Sequence, residues 1–189
     1  VQSVFLDGAR FQNTYRLNNS WQRAGENGWY QGISGALSTT RNVNTADSPL
    51  SDLKDTNQIL VSGSLTKLSE RFTNTFTLFY AQDNALASQG EHNGRDYYGL
   101  SHSVLWRFNG RHTPYARLSY QSTGYDAKHP IFFNDVRGDD NVSAALGWTW
   151  QYSRRLSINS EMAYNDANSN IALFEYTRFK YQLGLQFQM

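Results

Sequence analysis

Between residue 29 and the C-terminus the chain alternates, one residue after the next, between large apolar side chains and small polar ones. A period of two is the signature of strands with two unlike faces, and no amphipathic helix reproduces it. In 142–152 one face reads Val142, Ala144, Leu146, Trp148, Trp150 and Tyr152, flanked on the other by Asn141, Ser143, Ala145, Gly147, Thr149, Gln151 and Ser153. The last segment sets Phe179, Tyr181, Leu183, Leu185, Phe187 and Met189 opposite Arg178, Lys180, Gln182, Gly184, Gln186 and Gln188. Similar runs near 29–41, 57–68, 71–83, 97–108, 113–125 and 155–165 bring the expectation to eight strands.

Residues 1–28 admit two readings. Phe11, Asn13, Tyr15, Leu17, Asn19 and Trp21 alternate with polar neighbours, and Ala24-Gly25-Glu26-Asn27-Gly28 makes a short turn, so a ninth strand over 11–23 is favoured. Single-chain bacterial barrels have even strand numbers, which makes Val1–Leu6 a tenth strand or implies a missing N-terminal part. The alternative is an amphipathic helix using Phe11, Tyr15, Asn18 and Trp21. The start has neither the basic nor the apolar region of a signal peptide, so the chain reads as processed or as the C-terminal part of something longer.

The connections alternate in length. Short turns lie near Ser69-Glu70, Asn109-Gly110-Arg111-His112 and Ser153-Arg154-Arg155, and long polar connections near 43–56, 84–96, 126–140 and 166–173. Short turns at one end and long loops at the other predict an antiparallel up-and-down transmembrane β-barrel, with the turns periplasmic and the loops extracellular. One domain over 1–189 is expected.

Alternation alone also fits a soluble barrel with its apolar face inside. Composition decides between them. The polar face is mostly Ser, Thr, Asn, Gln and Gly, and charged residues are 17% of the chain, whereas a water-facing surface carries about 25–35%. Aromatic residues reach 15% and recur on the apolar face at strand ends: Trp29, Phe72, Tyr80, Tyr98, Trp106, Tyr120, Trp150, Tyr152 and Tyr164 read as two headgroup-level girdles. The mean hydropathy of −0.63 excludes a bundle of apolar helices, but a barrel with a polar lumen is compatible with it. The expected location is therefore the bacterial outer membrane.

The stretch Asn165-Asp166-Ala167-Asn168-Ser169-Asn170-Ile171-Ala172-Leu173-Phe174-Glu175-Tyr176-Thr177-Arg178, followed by Leu183-Gly184-Leu185, resembles the closing hairpin of surface lipoprotein assembly modifier (Slam) barrels. Phe132-Phe133 and Arg137-Gly138-Asp139 are similar to that family's preceding loop. The resemblance covers the last third of the chain and implies a barrel from a secretion or export protein that handles surface proteins or polymers. Slam proteins carry a helical repeat domain before the barrel, which is not present here, and this chain ends in Met189 instead of an aromatic residue. The resemblance transfers no catalytic residue.

Chemistry-bearing residues are sparse. There is no cysteine. In Ser101-His102-Ser103 the His shares its face with Leu100 and Val104, away from both serines, so a lipid-modifying enzyme is the minor alternative and no catalytic residue is assigned. His92 and His129 read as solvated loop histidines and His112 as a turn residue. Asp126, Asp135, Asp139 and Asp140 lack the spacing of a calcium loop, so neither a metal nor a cofactor is expected.

The polar face carries Arg16, Arg107, Arg117, Glu161, Arg178 and Lys180. A hairpin centred near Asn170, with partner numbers summing to about 340, brings Glu161 beside Arg178 or Lys180, and these residues with Arg117 form the expected lumen network. If water fills a wide enough lumen, the same residues suit a narrow substrate-selective channel. His102 is expected near mid-span on the outward face between Tyr98 and Trp106, with Tyr120 roughly opposite, as a candidate contact. The net charge of +1 argues against nucleic acid, leaving outer-membrane lipid, lipopolysaccharide and a periplasmic or extracellular protein as expected partners.

Overall fold

A computed structural model describes residues 2–6, 9–44, 50–129 and 133–187; Val1, Phe132, Gln188 and Met189 lie outside them. The chain forms a ten-stranded antiparallel sheet in which every strand pairs with its sequence neighbour. The strands are β1 (Gln2–Leu6), β2 (Ala9–Ala24), β3 (Trp29–Asn42), β4 (Thr56–Leu68), β5 (Phe72–Ala85), β6 (Arg95–Trp106), β7 (His112–Tyr125), β8 (Gly138–Gln151), β9 (Leu156–Ser169) and β10 (Tyr176–Phe187). The helical alternative for 11–21 is replaced by β2, which pairs with β3 from Gln12↔Asn42 to Ala24↔Tyr30.

Side chains that satisfy backbone donors fix the short turns. Ser69 Oγ accepts from Phe72 N, Ser153 Oγ accepts from Leu156 N, and Asn109 Oδ1 accepts from both Arg111 N and His112 N. The first turn instead uses left-handed backbone at Asn27 (φ 55°) and Gly28 (φ 75°); a Cβ on Gly28 would meet the Leu68 carbonyl at 2.3 Å. At the other end the strands outlast the expected boundaries, because polar cross-strand pairs such as Asp83↔Arg95 and Asp139↔Ser169 keep the ladder going.

There is no conventional apolar core. Among the described residues the buried hydrophobic ones are Ala36, Ala81 and Ala167, whereas Leu17, Leu146 and Leu185 are 69%, 65% and 73% exposed. All eight other girdle aromatics are exposed, with Tyr120 only half so. Leaving this many large apolar side chains in water would cost on the order of tens of kcal/mol at about 25 cal/mol per Å², more than a domain's whole stability of about 5–15 kcal/mol. The outward face is built for hydrocarbon. Among the described residues no helix is long and apolar enough to cross a membrane, and the strands do the crossing.

Among the described residues no pairing joins β10 to β1, and β1 covers β2 only as far as Thr14. The inner face is concave: hydrogen bonds reach over an intervening strand from β4 to β6 (Gln58 Nε2 to Tyr97 OH, 2.8 Å) and from β7 to β9 (Tyr115 OH to Glu161 Oε2, 2.6 Å).

Candidate functional site

The ladder sets a rung of small polar residues around the inner face: Ser64, Thr77, Ser101, Ser119, Ser143 and Asn165 stand opposite one another in turn, and Asn165 faces Arg178 on β10. The next rung toward the turns sets Ser103, Arg117, Ala145, Ala163 and Lys180 in one line, and the one after it Tyr115, Gly147, Glu161 and Gln182. Short side chains leave a cavity of about 550 Å³ over this wall, bordered by Arg117, Glu161, Arg178 and Lys180.

The register of the last hairpin differs from the expected one. Partner numbers sum to 343, so Gln182, not Arg178 or Lys180, stands opposite Glu161. The slide of three residues has a local cause. Asn170 is not the loop apex: its Oδ1 accepts from Gly138 N, its Nδ2 donates to the Val136 carbonyl, and the reversal falls instead on a 3-10 turn at Ala172–Phe174.

Glu161 turns the other way, across β8. Its Oε2 accepts from Tyr115 OH and from Arg117 Nη2, both on β7. Gly147 makes this possible. It lies between Tyr115 and Glu161 in the ladder, and a Cβ there would stand 2.1 Å from Tyr115 Cζ, inside the ring's own volume. With the Glu161 carboxylate committed to β7, Arg178 and Lys180 have no ion-pair partner among the described residues. Three cations therefore face one carboxylate on this wall, and both β10 cations are exposed. Of the remaining cations expected in the lumen, Arg16 donates to Asn18 Oδ1 and Arg107 to Thr73 Oγ1.

A second polar layer lies nearer the long loops. Asp83 is buried, bridged to Arg95 at 2.8 Å and bonded to Gln58, which also receives Ser38 Oγ. The Asp83–Arg95 pair extends the ladder into 84–96, which the pattern assigns to a loop; its one signal in the sequence is the spacing of two opposite charges across a strand reversal. Above it, loops tied by Asn93 Nδ2 to the Leu53 carbonyl and by Asp126 N to the Gly94 carbonyl enclose about 370 Å³, lined in part by His92, His129, Phe133, Arg137 and Phe174. The His92 and His129 rings stand 4.5 Å apart and are half-buried, so neither is a freely solvated loop side chain. Burial, then His129, holds His92 below the ordinary histidine value. The Arg137 guanidinium sits 3.4 Å from the Phe174 ring centre.

His102 lies on the outward face and is exposed, with Phe76 and Leu118 as its cross-strand neighbours. Tyr120 is not opposite it but opposite Leu100, since the ladder about the turn that Asn109 caps sets Leu118 against His102. Tyr120 OH donates to Asp140 Oδ1 at 2.7 Å instead. Ser101 and Ser103 share the lumen parity of Arg117 and Ser119, so β6 holds no Ser–His pair on one face. His112 is packed against Trp148 and Trp150 at 5.4 and 5.8 Å, not solvated in a turn. Asp139 engages Arg137 while Asp140 engages Tyr120, so those two carboxylates do not converge.

An up-and-down antiparallel sheet with an apolar outer belt, two aromatic rims and a polar inner wall defines an outer-membrane β-barrel, and its place is the bacterial outer membrane. A sequence profile for the family described as "Protein of unknown function (DUF2860)" matches residues 34–188, and the chain belongs to that family. The matched span takes in the closing hairpin on which the Slam resemblance rests, so what carries over from that resemblance is the broader outer-membrane barrel class. No curated protein matches the chain. Among solved structures, a loop-deletion form of OmpT, an outer membrane protein of Vibrio cholerae, is similar with a TM-score of 0.64 at 12% identity, over 96% of this chain and 55% of that one. The chain thus spans little more than half of that protein's length. The NanC porin is similar with a TM-score of 0.52 at 10% identity, over 95% of this chain and 98% of that one. At these identities the likeness is one of fold.

Proposed function

We propose that this chain forms the wall of a solute-conducting outer-membrane barrel that favours anions. The observation that carries the reading is the commitment of Glu161 to Tyr115 and Arg117, which leaves Arg178 and Lys180 on the lumen wall without an ion pair among the described residues, three cations to one carboxylate. Unneutralised charge in a pore with low-dielectric walls attracts ions of the opposite sign and repels its own. The surrounding Ser, Thr and Asn side chains supply hydrogen bonds without adding charge, and the likeness to a porin over most of both chains is in keeping with a conducting role.

Planar-bilayer recording under a potassium chloride gradient tests this. Wild type should give a reversal potential on the chloride side of zero, and Arg178→Gln with Lys180→Gln should move it toward zero. A wild-type pore that prefers cations, or a folded protein that does not conduct, refutes the reading.

Export of surface proteins or polymers is a second reading, supported by the closing hairpin's similarity to lipoprotein-assembly barrels. It calls for a periplasmic or extracellular protein partner, and partner recovery after crosslinking of the native membrane tests it.

A further inference from the structure

We propose that the short-turn rim is a docking collar for anionic phospholipid headgroups, on the leaflet facing the periplasm. The rim is strongly cationic. Arg23 and Lys67 share the outward parity of Trp21 and Trp29, and Arg71, Arg111, Arg154 and Arg155 stand in the turns themselves. Against these, the same turns carry two acids, Glu26 and Glu70. No ion pair joins any of the six cations to a carboxylate among the described residues, and all but the half-buried Lys67 are exposed.

The opposite rim has the reverse character. In the long loops Asp and Glu outnumber Lys and Arg, and two of the outward tyrosines there are bonded to carboxylates, Tyr80 to Asp96 and Tyr120 to Asp140. Charge sign therefore follows the membrane axis.

A second asymmetry points to lipid as the occupant. All five tryptophans of the chain, Trp21, Trp29, Trp106, Trp148 and Trp150, lie outward at the cationic rim and are 36–55% exposed. Tryptophan settles at the level of the glycerol and headgroups. Lys67 shows how the cations combine with it: its Nζ lies 5.0 Å over the Trp29 ring and donates to the Asn27 carbonyl, so the ammonium is held at the rim. An ammonium or guanidinium at the rim meets lipid phosphate directly above the depth at which the indoles sit. A soluble anionic ligand would have no need of the indole belt.

The tryptophans also report on this rim alone. The protein is refolded into phosphatidylcholine vesicles with about one lipid in five replaced by phosphatidylglycerol, and either lipid carries bromines near the glycerol. At equal bromine content the brominated phosphatidylglycerol should quench the indoles about twofold more than brominated phosphatidylcholine, because the collar enriches it locally. Changing Arg71, Arg111, Arg154 and Arg155 together to Ser should remove most of that excess. Equal quenching by the two lipids in the wild-type protein overturns the proposal without recourse to any variant. An excess that inorganic phosphate abolishes, while sodium chloride of equal ionic strength leaves it, overturns the lipid assignment in favour of a soluble phosphate ligand.

Discussion

Gly147 is a residue whose value lies in what it omits. Tyr115 crosses β8 only where β8 has no Cβ, and the hydroxyl it carries there, with Arg117, determines which way Glu161 faces. Gly147→Val should expel the ring and destabilise the barrel by about 1–3 kcal/mol, as overpacking does. Tyr115→Ala in the same chain should restore part of that, since the ring is what the new side chain meets. Urea unfolding of the protein in detergent micelles, run as a double-mutant cycle, measures both. Absence of coupling would mean that the ring does not cross β8. The same geometry makes an unusual prediction for conduction: Glu161→Gln releases Arg117 and should shift selectivity further toward anions, opposite in sign to the loss of Arg178 and Lys180. Reversal potentials compare the three directly.

At the scale of strands and loops, alternation made the strands, their faces and the up-and-down order legible, because each rests on neighbours in sequence. What alternation could not carry was register. Asn170, bonded to the backbone of Gly138 and Val136, goes with a last hairpin slid by three residues, and about the Asn109 turn the pairing sets Tyr120 against Leu100 and not His102. Contacts over an intervening strand, such as Tyr115 to Glu161, depend on that register and on sheet curvature, and so were out of reach.

The loop cap has its own pH signature. His92 is held below the ordinary value of about 6.5, so the opened loop binds a proton more readily than the closed one. Its contribution is full above that ordinary value and is lost as pH falls through the window beneath it. Asp126 runs the opposite way: burial, then Asp96 and Glu91, raise it, so its contribution is greatest at low pH and declines as pH rises above the ordinary carboxylate value of about 3.9. Near neutrality the histidine should govern. Protection factors in 86–94, which remove the slowing of intrinsic amide exchange by acid, should fall on mild acidification, and His92→Gln should flatten that response; an unchanged profile in the variant would assign the effect elsewhere.

Considered as a whole, the molecule is a sheet whose outer face needs hydrocarbon and whose two outer strands present free edges. β10 pairs along one side with β9, and beyond Thr14 the side of β2 away from β3 meets no strand among the described residues. In water an unpaired edge is solvated, but in a bilayer each unsatisfied N–H or C=O costs several kcal/mol, and twelve residues of β10 lie along that edge. A strand in hydrocarbon therefore has to be covered on both sides, whether by closure of β10 onto the β1–β2 side or by further strands between them. The consequence is measurable. In an antiparallel pair only alternate amides of β10 point to β9, so the other half should exchange freely if the edge is open. In the protein refolded into vesicles, both halves should be protected to the same degree as β5, which is paired on both sides. Heat should release them together, with the mobility shift on semi-native gels that marks unfolding of a closed barrel. Protection confined to the amides facing β9 would mean that β10 stands at a water-filled seam, and the lumen cations Arg178 and Lys180 would then line an opening in the wall instead of a pore.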